Sequence, residues 1–165
     1  MAIDLFRRIL VPIDFSSCSY EAFQVALVIA KAFQSEVTAL HVIDTSAVAA
    51  FNRLGLLAVP SDETKQRRRL RHYARLKMRQ LLAAKSKEGI PVKRLVVEGA
   101  PFVEISKFAR QERIDLIVLG SYGGRSEEME KIFFGTTAEK VVRTAGCAIL
   151  TIPLPAKKMT RDILL

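Results

Sequence analysis

The sequence predicts an α/β fold: a doubly wound parallel sheet in three layers. Three observations carry this. Short continuous apolar runs recur along the chain, each too brief for a core helix and suited to a strand buried on both faces. Segments of helical periodicity separate them, giving the order β-α-β-α-β-α-β-α-β. Right-handed crossovers between parallel strands then place helices on both faces of the sheet. The length of 165 residues suits one domain at roughly 150 residues each. The domain is expected over 1–155, with a short basic tail at 156–165.

Ile9–Leu10–Val11–Pro12–Ile13 is the first strand, ending at Asp14. Ser16 and Ser17 stand where a helix N-cap belongs, and Ala22, Val25, Ala26, Ile29 and Phe33 recur at helical spacing after them. Val37–Ile43 is the second strand, bounded by Asp44. Residues 44–60, small and apolar with Gly55 and Pro60, read as a loop. Ser61–Asp62–Glu63 opens a long helix, its acids placed where the macrodipole favours them. That helix is expected to run to about Glu88 and stop at Gly89, with Pro91 beyond. Val92–Val97 is the third strand, and Pro101 at a first helical position begins Phe102–Gln111. Leu116–Leu119 is the fourth strand. A helix from Thr136 or Thr137 to Thr144 and a fifth strand, Ala148–Ile152, complete the pattern, and Pro153 and Pro155 end it.

Composition narrows the function classes. Half the residues are apolar and 26% are charged, which excludes a disordered or collagen-like chain. Lys and Arg exceed Asp and Glu by 26 − 17 = 9, which favours anionic partners. Two cysteines make no disulfide framework, so a reducing compartment is expected. No apolar run approaches the ~18 residues of a membrane span, and the acid-bearing N-terminus has no signal-peptide cleavage pattern. The expected setting is the cytoplasm, with no membrane contact.

A ligand of an open α/β sheet sits beyond the carboxyl ends of the strands, where the winding reverses. The first strand–helix turn has no glycine, so G-x-G-x-x-G is absent, and the chain has no P-loop. Glycines gather after the fourth strand instead, at Gly120, Gly123 and Gly124, and again at Gly135–Thr136–Thr137 where a helix begins. Backbone N–H groups approach an anion there, and the helix N-terminus adds free donors and partial positive charge. A plain turn would show the same glycines.

Five motifs occur in order: Ile9-Leu-Val-Pro-Ile-Asp-Phe-Ser, Leu40-His-Val-Ile-Asp, Val97-Glu-Gly-Ala-Pro, Leu119-Gly-Ser-Tyr-Gly and Gly135-Thr-Thr-Ala-Glu-Lys-Val. Together they resemble the universal stress protein family from about residue 6 to 153. The resemblance implies a five-stranded parallel sheet in the order 3-2-1-4-5, adenine-nucleotide alpha-hydrolase-like, with its switch point between strands one and four. It also implies ATP binding in those members that carry G-x2-G-x9-G-[ST]. Here Gly120-x2-Gly123 and Gly135-Thr136 fit, but the spacer 124–134 has eleven residues rather than nine. Glu127, Glu128 and Glu130 within it would repel phosphate, while Arg125 and Lys131 would attract it. By the resemblance Asp14 faces the ribose, and Pro12 and Val42 frame the adenine. Gly120, Gly123, Gly135, Thr136 and Thr137 hold the phosphates, with Mg2+ accompanying the nucleotide. The resemblance further implies a dimeric regulator of stress response, paired through strand 148–152. At most slow ATP hydrolysis is expected, since no acid–base pair with a catalytic logic is found. The rival reading is a family member without nucleotide, acting through protein contacts.

Neither His41 nor His72 has metal-ligand spacing to a second ligand, so no metal site is expected. Cys18 at a helix start reads as a small buried residue rather than a redox thiol. Residues 61–88 hold ten Lys and Arg against three acids, +7 of the chain's +9. Leu70, Tyr73, Ala74, Met78, Leu81 and Ala84 form the expected core face. Arg68, His72, Arg75 and Arg79 lie opposite. That stripe is a solvated face or a site for an acidic protein or nucleic acid at Arg68, Arg75 and Arg79. Lys77 falls inside the apolar arc, so its ammonium must snorkel out or meet a carboxylate.

Overall fold

The computed structural model describes residues 5–45, 63–83, 89–121 and 135–153. Along them run β1 (Arg8–Pro12), α1 (Ser17–Phe33), β2 (Glu36–Asp44), α2 (Glu63–Ala83), β3 (Val92–Gly99), α3 (Pro101–Gln111), β4 (Leu116–Gly120), α4 (Thr136–Thr144) and β5 (Ala148–Ile152). The strands form one parallel sheet in the order β3-β2-β1-β4-β5. The expected architecture and strand order are therefore present, and the winding reverses between β1 and β4. Among the described residues no helix is long and apolar enough to cross a membrane. The expected tail at 156–165 lies outside them.

Successive strand residues feed opposite faces, which is why the strands read as unbroken apolar runs. Ile9 and Val11 of β1 join Val118 of β4, Phe23 and Ala26 of α1 and Met78 of α2 in one buried cluster. Leu10 of β1 joins Ile117 and Leu119 of β4, Ile105 of α3 and Val141 of α4 in the other. Two helices thus cover each face. Each fully buried aliphatic side chain contributes about 1.5–3 kcal/mol.

Local signals set the helix ends. Ser16 is the N-cap of α1, in extended conformation, and its Oγ accepts from the Ser19 N–H at 3.1 Å. The helix closes on Gln34 in the left-handed region at φ 57°. Pro101 opens α3 as expected.

The structure corrects the core face of α2. Ala74 and Met78 are buried and Leu81 is partly buried, but Leu70 is 47% and Tyr73 56% exposed. The buried side of α2 is thus narrower than its periodicity implies, resting on Ala74, Met78 and Leu81, while Arg67 and Arg71 of its first half reach Glu98 near the end of β3. Ala84 lies outside the described residues.

Candidate functional site

The first strand–helix turn is the most constrained part of the site. Phe15 has φ 66°, a left-handed conformation that only tertiary support holds for an aromatic residue. Three contacts supply the support. The Asp14 carboxylate accepts from the Ser16 N–H at 3.0 Å and the Ser16 hydroxyl at 2.5 Å. The Phe15 ring stacks on His41 with centroids 4.4 Å apart. His41 Nδ1 lies 2.7 Å from the Ile13 carbonyl oxygen. Burial holds the His41 imidazole below its ordinary range; the Ile13 carbonyl and Asp14 oppose this, and Lys77 adds to it. The ring is therefore neutral at pH 7, and because a carbonyl only accepts, Nδ1 carries the proton.

Ser16, not Asp14, caps α1. Asp14 acts one step back, orienting the cap, and only its Oδ1 is engaged among the described residues. The other carboxylate oxygen is open to a ligand hydroxyl.

Beside this turn lies a cleft of about 170 Å³. Pro12, Ile13 and Asp14 from the end of β1, Leu40 and Val42 from β2, and Leu119 and Gly120 from β4 line it. Gly135, Thr136 and Thr137 at the start of α4 form another wall. This is the switch point between β1 and β4. Of the residues expected at the site, Pro12, Asp14, Val42, Gly120, Gly135, Thr136 and Thr137 are brought together, while Gly123 and the spacer 124–134 lie outside the described residues. The ends of that segment are close: the Gly135 N–H donates to the Ser121 carbonyl at 2.8 Å. Gly135 is the N-cap of α4 and has no side chain to satisfy the first N–H groups, and among the described residues no side chain caps them, the arrangement that suits an anion.

Gly120 has a second reason to be glycine. A Cβ there would stand 2.8 Å from Cys18 Sγ and 2.9 Å from the Cys18 carbonyl carbon. The end of β4 and the first turn of α1 can approach only because the side chain is missing. Cys18 is buried, and its thiol donates to the Ile152 carbonyl at 3.1 Å, a structural position.

The remaining walls come from Ser19, Pro101, Ile105 and Ala138. None of the four is a site residue in the sequence reading. The Ser19 hydroxyl is used within its own helix turn, on the Ser16 carbonyl, the other three side chains are apolar, and only the crossover of α3 over the sheet brings Pro101 and Ile105 there. Phe15 was likewise unmarked, although an aromatic residue between Asp14 and the N-cap was a signal that the turn needs outside support.

Lys77, expected to snorkel out or meet a carboxylate, is half-buried and lies over aromatic rings. Its ammonium sits 5.3 Å from the centroid of Phe15 and 5.1 Å from that of Tyr73, a cation held over two rings. Part of the basic face of α2 is also tied down: Arg71 pairs with Glu98 of β3, and Arg67 lies 3.9 Å from the same carboxylate.

Comparison with known proteins agrees with this architecture. The model of the universal stress protein family matches residues 5–153. The chain is 30% identical over 155 residues to universal stress protein MJ0531 of Methanocaldococcus jannaschii, covering 94% of this chain and 86% of that one. Among solved structures, MJ0577 superposes with a TM-score of 0.70 at 29% identity, covering 90% of this chain and 96% of that one. The universal stress protein UspA from Lactobacillus plantarum gives 0.63 at 33% identity, covering 89% and 97%. A match spanning all nine elements, with the same sheet order and a cleft at the same switch point as the resemblance implied, establishes that this chain belongs to the universal stress protein family.

Proposed function

We propose that the chain binds an adenine nucleotide, ATP in the first instance, in the cleft between β1, β4 and α4, and acts as a dimeric regulator of stress response. One observation carries the reading. A carboxylate (Asp14), an apolar slot (Pro12 and Val42) and a helix N-terminus with two hydroxyls (Thr136, Thr137) and no side-chain cap among the described residues converge on a single cleft. That set matches the ribose, base and phosphates of one nucleotide. In support, proteins of the same fold have been solved in complex with cAMP and with dAMP, at 17% and 19% identity to this chain. Among the described residues no three His, Cys, Asp or Glu stand together to hold a metal. A Mg2+ would be carried on the phosphates, with Asp14 the carboxylate that lines the cleft among the described residues.

The test is direct. Protein purified under native conditions, then denatured, should release adenine nucleotide detectable by mass spectrometry. In calorimetry Asp14→Ala should weaken ATP binding by about 1.5–3 kcal/mol, roughly ten- to a hundredfold, and should also lower thermal stability modestly, since two hydrogen bonds to Ser16 are lost while Ser16 still caps α1. Gly123→Val should abolish binding in a folded protein. Loss of stability with unchanged affinity in Asp14→Ala would assign that carboxylate to the turn alone. No nucleotide in the purified protein and no ATP binding in calorimetry would leave the family role to protein contacts. Such a role would use pairing of two copies through β5, whose edge is uncharged, or a partner of opposite charge on the α2 face that carries Arg68, Arg75 and Arg79.

A further inference from the structure

We propose that the groove between α2 and the outer edge of β3 receives an extended acidic segment of a partner protein, added alongside β3. Arg75 and Arg79 of α2 and Arg94 of β3 line this groove, with Met78, Leu95 and Val96 as its apolar floor. All three arginines are exposed, and none has an ion pair among the described residues. Arg75 and Arg79 are four residues apart on one helix, a like-charge spacing that costs an isolated helix stability. Arg71, one turn earlier, is neutralised by Glu98. Three unpaired charges thus meet at the groove.

Three features select the occupant. Among the described residues β3 pairs only with β2, so its other side is a sheet edge able to take a further strand through main-chain hydrogen bonds. Guanidinium groups recognise carboxylates bidentately, and here they stand on both sides of one groove. The floor between them is apolar, suiting a strand whose side chains alternate between acidic and aliphatic. Nucleic acid fits less well, because no aromatic side chain lines the groove for bases to stack on. This proposal does not depend on nucleotide binding in the cleft.

The experiment is fluorescence polarisation with a labelled peptide alternating Glu and Val, on the wild-type protein and its variants. Binding should fall about tenfold in Arg94→Gln and about a hundredfold in the double variant Arg75→Gln, Arg79→Gln. These side chains are exposed, so the melting temperature should stay put. On the unaltered protein, a Gln–Val peptide and a Glu–Val peptide N-methylated at alternate residues should both fail to bind, the first for lack of charge and the second for lack of main-chain donors. Equal binding of the N-methylated peptide would overturn strand addition. Indifference to Arg94→Gln, or no binding at all, would return the arginines to a solvated face. Displacement of the peptide by oligodeoxythymidine at lower concentration than by unlabelled peptide would make the groove a nucleic-acid site and overturn the proposal.

Discussion

The two outer strands of the sheet have opposite chemistry. β5, AILTI, has no charged residue, and its middle residues are partly buried. β3, VKRLVVEG, carries Lys93, Arg94 and Glu98, with Lys93 3.3 Å from Glu36 of β2 and Glu98 held by Arg71. Charge on an edge strand opposes pairing with a second copy of itself. A neutral edge has no such guard. The two also differ in anchoring. At the end of β5 the Ile152 carbonyl accepts from the Ser121 N–H at 2.9 Å, the Ser121 hydroxyl at 3.1 Å and the Cys18 thiol at 3.1 Å. Those donors flank Gly120 in the wall of the cleft, so the neutral edge is fastened to the candidate site. Charge decides what an edge can pair with, and anchoring decides whether that pairing can be felt elsewhere.

Three experiments break or sharpen this contrast. The largest effect is expected at β5 itself. Leu150→Lys combined with Thr151→Pro places a charge and a missing donor at the centre of the neutral edge. Sedimentation equilibrium at about tens of micromolar should show a wild-type homodimer, and a monomer or an aggregate for the variant. A wild-type monomer under the same conditions would refute pairing through β5.

Next comes Gly120→Val, which loads the anchor. Its Cβ meets both the thiol and the backbone of Cys18, so urea unfolding should show a loss of about 1–3 kcal/mol. A second change, Cys18→Ala, should recover only part, since backbone atoms do not move aside with the thiol. Wild-type stability in the single variant would mean that the close approach of β4 to α1 is easily relaxed.

The smallest effect belongs to Ser121→Ala. It removes one of the donors to Ile152 and should cost about 0.5–1.5 kcal/mol. Hydrogen exchange would localise the loss, with faster exchange along β5 and unchanged exchange along β3. Equal acceleration on both edges would show that the anchor is not local.

Much of the fold was legible because strand signals are local. The first strand, expected at Ile9–Ile13, is observed at Arg8–Pro12, and the fifth coincides at Ala148–Ile152. Proline, serine and glycine marked the helix starts for reasons contained within one turn of chain. Most of the cleft was legible too, but through the five motifs of the family resemblance rather than through composition. The misreadings have one cause. Periodicity gives the angle at which Leu70 and Tyr73 project, and at that angle they belong with Ala74 and Met78. It does not say how much of that face the sheet covers. Lys77 was correctly marked as a charge in an apolar arc, yet its partners, Phe15 and Tyr73, include one from a turn sixty-two positions earlier (77 − 15).

By itself the sequence determined the class of fold, the run of elements, the excess of positive charge on α2 and the chemical types gathered at the switch point. Each follows from side-chain polarity and backbone preference over short stretches, where hydration and local hydrogen bonding dominate. Only the tertiary structure decided that Phe15 can hold a left-handed turn, that Gly120 must lack a side chain for the sake of Cys18, and that Arg94 joins Arg75 and Arg79 across one groove. Those facts rest on contacts between residues far apart in the chain. Their energies exist only once the sheet has brought the partners within van der Waals or Coulombic reach.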